Sequence, residues 1–479
     1  MFTASNICYE ISGRDRGIAH GGIGAIHSLV RRLGLIDAID RDLVLFQIVH
    51  LPYHESDHVL NIAYNALCGG TCLEDIELRR NDEAFLDALG ARRIPDPTTA
   101  GDFCRRFSAG HIRALQNAFH ETRQKVWAMQ PASFFERAII DADGTLVGTT
   151  GSCKGGMDIS YKGTWGYHPL IISLANTHEV LSIVNRPGNR PSHEGAAAEI
   201  DHCIQVCFEG GFQRILLRGD TDFSQTEHLD RWNADARIQF IFGYDCRPNL
   251  VENADTLPDS AWKKLQRPAR YLVATQPRQR PDNVKDAVVK RRLFDTLRLQ
   301  SEDVAEFNYK PNACSQTYRM VVVRKNITKE KGEQRLYDEI CYFFYITNDW
   351  ASDAHEIVFS ANDRCDQENQ LAQLHNGCRA LKAPVDNLES NWAYMVMTAL
   401  AWDLKAWCAL MLPEGVGRHR ESYHADKLWM LRMEFKTFLN AFIQLPCQIV
   451  RTGGRLIYRL MSWNRHQPIF FRLVDALRC

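Results

Sequence analysis

The period of the chain changes at Arg137, and that change constrains what its middle can fold into. From Ala138 the residues alternate, Ala-Ile-Ile-Asp-Ala-Asp, which predicts a strand with Ile139, Asp141 and Asp143 on one side. Two aspartates at the end of an apolar strand are expensive to bury without a cation. Strands are predicted over residues 168–176 and 180–185, then a helix over 194–208. A strand over 214–218 follows and ends in Gly219-Asp220-Thr-Asp222. A helix over 226–233 and a strand over 238–244 complete a β-β-β-α-β-α-β run. One carboxylate lies on its first strand and another just past its fourth.

A second constraint lies far downstream, in Arg364-Cys-Asp-Gln-Glu-Asn-Gln-Leu-Ala-Gln-Leu-His375. At about 100° per residue, Arg364, Glu368, His375 and Arg379 share one stripe. Leu371, Leu374, Cys378 and Leu381 form the apolar stripe beside it. Such a helix either presents Glu368 between cations or has an ordinary solvated charged face.

With 479 residues the chain can bury a large core, in two or three domains. Fifteen cysteines without a C-x2-C pair match neither a zinc framework nor a disulfide scaffold, so buried thiols in a reducing cytoplasm are expected. The first residues lack the apolar core of a signal peptide. The most apolar stretch, 392–412, is interrupted by Asp403 and Lys405, which predicts a buried helix and no membrane association. Residues 1 to about 130 read as helices at 23–35, 58–67, 72–79, 83–89, 100–107 and 111–129, fitting either a DNA-reading and dimerising module or plain packing. Neither His20-Gly-Gly-Ile-Gly24 nor Gly148-Thr-Thr-Gly-Ser-Cys-Lys154 has the spacing of a nucleotide loop.

The constellation of an Asp on the first strand, an Asp after the fourth and a Glu on a later helix resembles the ribonuclease-H-like core of DDE transposases. It looks most like the bacterial insertion-sequence enzymes with a β-rich domain inserted before the Glu. The gap from Asp220 to Glu368 is about twice that from Asp143 to Asp220, which leaves room for such an insert. The phrases Leu-Leu-Arg-Gly-Asp-Thr-Asp-Phe, Arg186-Pro-Gly-Asn and Asp-Gln-Glu-Asn with a later Leu-His-Asn-Gly resemble the insertion-sequence family designated thirteen-eighty. The closing Thr-Gly-Gly-Arg segment does so as well. The resemblance implies that Asp143, Asp220 and Glu368 are the catalytic and metal-holding acids, with Asp141 and Asp222 as alternatives. It also implies a homodimer that pairs two inverted-repeat ends of double-stranded DNA and joins them to target DNA. Of the signature Y-x2-R-x3-E-x6-K, Arg364 and Glu368 stand in place, whereas Ala361 and His375 replace the tyrosine and the lysine.

Three converging carboxylates would repel one another. Two Mg2+ ions (or Mn2+ in their place) relieve that repulsion and supply the usual chemistry of phosphodiester displacement. Arg364 is placed to hold a phosphate, and Arg379 follows on the same stripe. His375 either touches phosphate or is a neutral packed histidine. The implied fold class is an α/β ribonuclease-H-like core with a mixed five-stranded sheet and flanking helices. A β-rich insertion interrupts it, and helical regions stand at both ends. The expected boundaries are 1–130, 131–245, 246–345 (the insert), 346–412 and 413–479.

From Lys263 to Arg298 there are eleven Lys or Arg against three Asp. Lys263, Lys264, Lys285, Lys290, Arg291 and Arg292 are therefore expected to neutralise phosphates. Strands are predicted in the insert near 303–307, 318–324 and 339–347. Related enzymes form DNA hairpins and stack a flipped base on an aromatic residue of the insert, which by resemblance points to Trp262 and then Trp350. The tail from Gly417 reads as helical and basic, with six arginines and one acid from Arg451 to Arg478; Arg451 and Arg455 are expected at DNA. Two other readings use the same residues: a DNA-binding derivative whose acids are structural, and a stand-alone ribonuclease-H-like nuclease.

Overall fold

The computed structural model describes residues 9, 15–46, 52–267, 287–288, 291–293, 295–331, 334–461 and 463–478. The alternating central segment forms strands Ala138–Gly144, Leu170–Leu174, Glu179–Val184, Ile215–Gly219 and Ile238–Tyr244. Leu170–Leu174 lies antiparallel to both Ala138–Gly144 and Glu179–Val184. On its other side Ala138–Gly144 is parallel to Ile215–Gly219, which is parallel to Ile238–Tyr244. The direction follows the connections in part: a tight link after Leu174 gives one antiparallel pair, and the helices Ala196–Glu209 and Thr226–Asn233 carry the crossovers to the parallel strands. A long excursion, by contrast, separates Gly144 from Leu170.

The five strands expected to make a sheet of their own belong to a sheet of nine. Gln334–Thr347 pairs antiparallel with Ile238–Tyr244, from Phe344 opposite Tyr244 to Thr347 opposite Ile241. Tyr318–Lys331, Asp295–Tyr309 and the short Lys263–Lys264 follow in turn. The insert thus continues the sheet and covers what would be an open row of backbone donors and acceptors on Ile238–Tyr244. Its strands run well past the predicted apolar segments because the outer halves, with Lys325, Lys329 and Glu330, do not alternate by polarity.

The N-terminal region is helical, as its periodicity predicts. Several boundaries differ: the helix predicted over 23–35 ends at Arg32 and is followed by an unpredicted helix Leu35–Asp42, and the one predicted from 58 begins at Glu55. The one predicted from 100 begins at Pro97, where the Asp96 carboxylate accepts from Thr99 N at 2.8 Å. The helix Ala109–Trp127 packs against Leu388–Leu410, a 23-residue helix buried almost throughout. Among the described residues no helix is long and apolar enough to cross a membrane.

The polar interruptions of Leu388–Leu410 are explained by partners. Asp403 binds buried Arg123 at 2.8 Å and Val180 N at 2.8 Å. Lys405 donates to Leu431 O at 2.7 Å, and burial pushes its amine down to about 7. Arg123 also binds Glu179 at 3.0 Å, and Glu179 accepts from Trp127, Trp407 and Thr177.

The tail is a correction: it is not helical throughout. Cys447–Thr452 and Arg455–Leu460 form a hairpin, and the first of them pairs with Gly17–Ile18. The turn residues Gly453 and Gly454 have φ of +54° and +72°, a conformation that two glycines adopt without a Cβ clash.

Candidate active site

Parallel register builds the site. Ala142 pairs with Gly219, so the next residue on each strand, Asp143 and Asp220, emerges side by side at the C-terminal ends of neighbouring parallel strands. Open α/β sheets commonly bind ligands at such ends. Asp220 also starts the turn Thr221–Phe223, its Oδ1 accepting from Asp222 N at 3.0 Å.

The third acid arrives on the helix Cys365–Ala372, which follows Ala354–Asp363 through Arg364. Gln367 fastens this helix to the sheet: its buried amide donates to Asp141 O at 3.1 Å and to Ile171 O at 3.3 Å. Glu368 is next in sequence and exposed. Arg364 Nη1 lies 3.4 Å from Asp143 Oδ2.

The carboxyl of Asp143 is pushed up to about 6, chiefly by burial; Arg364 opposes the shift, and the charges of Asp220 and Glu368 reinforce it. Burial likewise raises Asp220, with Arg364 again opposing and Asp222 adding to the rise. Asp143 therefore senses both other acids, and the arginine sits within the field of the two aspartates. Among the described residues no group of three metal-ligating side chains stands close enough to hold an ion as placed. The donor chemistry nonetheless fits a hard dication: all three groups are carboxylates, and a desolvated Asp143 beside like charges is stabilised by added positive charge.

Asp141 is differently occupied. Its neighbour across the parallel pair is Arg218, which binds it in two places, Nε to Oδ1 at 2.7 Å and Nη2 to Oδ2 at 2.8 Å. Arg218 also donates to Ser360 O at 2.8 Å. The cation that a buried Asp141 requires is thus a side chain of the same sheet. Asp222 is exposed and lies one turn past the pair.

A family-level comparison matches residues 4–479, nearly the whole chain, to the family described as Transposase DDE domain group 1. The chain belongs to that family. No curated protein matches it. Among solved structures, a chain of a piggyBac transposase synaptic complex with hairpin DNA, seen by cryo-electron microscopy, is similar at 11% identity. The TM-score is 0.35, covering 89% of this chain and 83% of that one, which is too loose to bear on the site.

The remaining expected positions of the transposase scatter. His375 lies beside the acid pocket, its Nε2 3.0 Å from Thr145 Oγ1, and burial holds it below its usual value, so it is neutral at pH 7. Arg379 leaves the predicted stripe. The α-helix gives way to a π-turn over Gln373–Gly377, and Arg379 follows with a left-handed φ of +62°.

In the insert, Trp262 is half-buried and packed, with the Arg324 guanidinium 4.2 Å over its ring and Tyr342 alongside. Trp350 is 56% exposed. Lys263 and Lys264 form an exposed edge strand, and Arg291 and Arg292 are exposed. Lys285 and Lys290 lie outside the described residues. Arg451 reaches the backbone of Asp87 at 3.1 Å, and Arg455 is exposed past the hairpin turn. Sequence reasoning missed Gln367 and Arg218. Arg218 could have been found as the one charge inside an apolar strand.

Proposed function

We propose that this transposase cuts double-stranded DNA at the inverted-repeat ends of an insertion sequence and transfers the freed 3′ ends into target DNA, using Mg2+. The observation that carries this reading is the acid pocket itself, with Asp143 and Asp220 in parallel register and Glu368 on the helix that Gln367 docks above them. The strand order, with two successive antiparallel pairings on one side of Ala138–Gly144 and two successive parallel pairings on the other, supports a ribonuclease-H-like core. Asp143, Asp220 and Glu368 would hold two Mg2+ ions, or Mn2+, and the chemistry supplied there would be activation of the attacking oxygen and stabilisation of the leaving one. Arg364 is placed beside Asp143 to orient a phosphate. His375, neutral and bonded to Thr145, positions the end of the catalytic helix and adds no charge. The reading includes a homodimer pairing two ends, working at the nucleoid of a bacterial cytoplasm, and membership of insertion-sequence family thirteen-eighty.

The test is nicking of DNA that carries the inverted repeats flanking the gene. Cleavage that needs Mg2+ or Mn2+ and is lost in Asp220→Asn and Glu368→Gln supports the proposal. Cleavage retained in either variant refutes it. Cutting without matched ends and without joined products would favour a stand-alone nuclease.

A further inference from the structure

The segment just past Asp143 folds into a feature that the acid pocket does not require. Val147–Gly148, Asp158–Ile159 and Trp165–Tyr167 form a small three-stranded sheet, with Trp165–Tyr167 in the middle. It begins four residues after Asp143, at most about 14 Å of chain away. Ile159 and Trp165 are paired directly across two strands, so their side chains share one face. Both are open to solvent, at 47% and 53%. The turn beyond them presents Tyr161, 81% exposed, with the Lys162 amine 5.3 Å from its ring centre.

This open face is firmly braced from behind. Gly188 N donates to Gly166 O at 3.0 Å, and a Cβ on Gly188 would lie 2.8 Å from Gly166 O, so only glycine allows the approach. Asn189 donates to Asp158 at 2.7 Å. Arg186 holds the same loop through the carbonyls of Pro191, Ser192 and Glu194 and also donates to His168 O. The Arg186-Pro-Gly-Asn phrase therefore serves as the frame of the small sheet. The frame also touches the catalytic strand, because a Cβ on Gly144 would meet His168 Nε2 at 2.8 Å and Ser192 at 3.2 Å. Trp165 stands on the strand that runs directly into His168, so the open face is tied to the residue packed against Gly144, next to Asp143.

Two aromatic rings, an isoleucine and a lysine, held rigid yet uncovered beside an acid pocket, match the make-up of a stacking surface for unpaired bases. Such surfaces combine exposed rings with cations that follow the backbone. We propose that Trp165 and Tyr161 stack an unpaired nucleobase of the DNA strand being cut, with Lys162 against its phosphate. The insert's Trp262 is engaged by Arg324 and Tyr342 and does not offer a free ring. The proposal rests on the DNA-cutting reading above, but its test is independent of cleavage.

The experiment compares two probes bound by the full chain in EDTA: a blunt duplex, and the same duplex with an unpaired 3′ tail containing 2-aminopurine. The expected result is tighter binding of the tailed probe with quenched 2-aminopurine fluorescence. Trp165→Ala and Tyr161→Ala should each weaken tailed binding by about 5- to 150-fold, the equivalent of ~1–3 kcal/mol per stacked base. Both should leave blunt binding unchanged, and Tyr161→Phe should behave as the parent does. Unchanged tail preference in both alanine variants overturns the proposal. So does an equal loss on both probes, which would mark the face as a general or protein-contact surface. Asp143→Asn should keep the tail preference while losing cleavage, so a failure of the stacking surface and a failure of the catalytic reading are told apart.

Discussion

Two places in this protein set an arginine among carboxylates, and they come to opposite ends. Around Arg123, the acids Glu179 and Asp403 are almost wholly buried, and each of their oxygens accepts a hydrogen bond. Around Arg364, by contrast, the guanidinium meets Asp143 only at 3.4 Å, Glu368 is exposed, and among the described residues no group of three metal-ligating side chains closes on a shared centre. The same side-chain types thus make a strut in one place and an open acidic pocket in the other. What separates them is burial together with hydrogen-bond saturation. A saturated cluster has no bonding capacity left for a ligand, and an unsaturated one does.

The largest effect that would sharpen the contrast is at the strut. Arg123→Met leaves two buried acids without their cation, and thermal unfolding should show a loss of about 3–5 kcal/mol. A stable variant would break the comparison. Asp220→Asn should act the other way round: cleavage falls at least ~1000-fold, about 4 kcal/mol of barrier, while the melting temperature holds or rises. The two aspartates of the first strand give the next test. Asp141→Asn strands the buried Arg218 guanidinium and should destabilise by roughly 2–4 kcal/mol. Asp143→Asn should stabilise the metal-free protein at pH 7.5.

The sign follows from the raised carboxyl of Asp143. Its folded value of about 6 exceeds the ordinary 3.8, so the folded state holds the proton more tightly. Stability then falls as pH rises from about 4 to about 6, by roughly 3 kcal/mol at most. Asp143→Asn should flatten that part of the melting-temperature profile recorded without metal. The smallest expected effect is at Gln367. Gln367→Leu should lose about 1–2 kcal/mol through the two hydrogen bonds that fasten the helix to the sheet. It should also slow cleavage by loosening the helix that carries Glu368.

Much of the core was legible because its signals are local. The alternation at 138–143, the Gly219-Asp220 stop and the helix 226–233 all lie within one element's own pattern. The insert's place in the sheet was not, since nothing in residues 334–347 names Ile238–Tyr244 as their neighbour. The hairpin at 447–460 was passed over although Thr-Gly-Gly-Arg is a turn signal. Its surrounding arginines gave no apolar stripe to contrast with a helix. Arg379 fell off its predicted stripe because a π-turn interrupts the helix two residues earlier.

By itself the chain of residues determined which carboxylates sit at strand and helix ends, because period and turn chemistry act over a few neighbours. Only the tertiary structure decided which of them stay available. Asp141 and Asp143 are alike in sequence, two positions apart on one face of one strand. The register of a strand seventy-odd residues away sets Arg218 against the first and Asp220 against the second. Charge pairing across a sheet depends on that register, and register is a property of the assembled sheet.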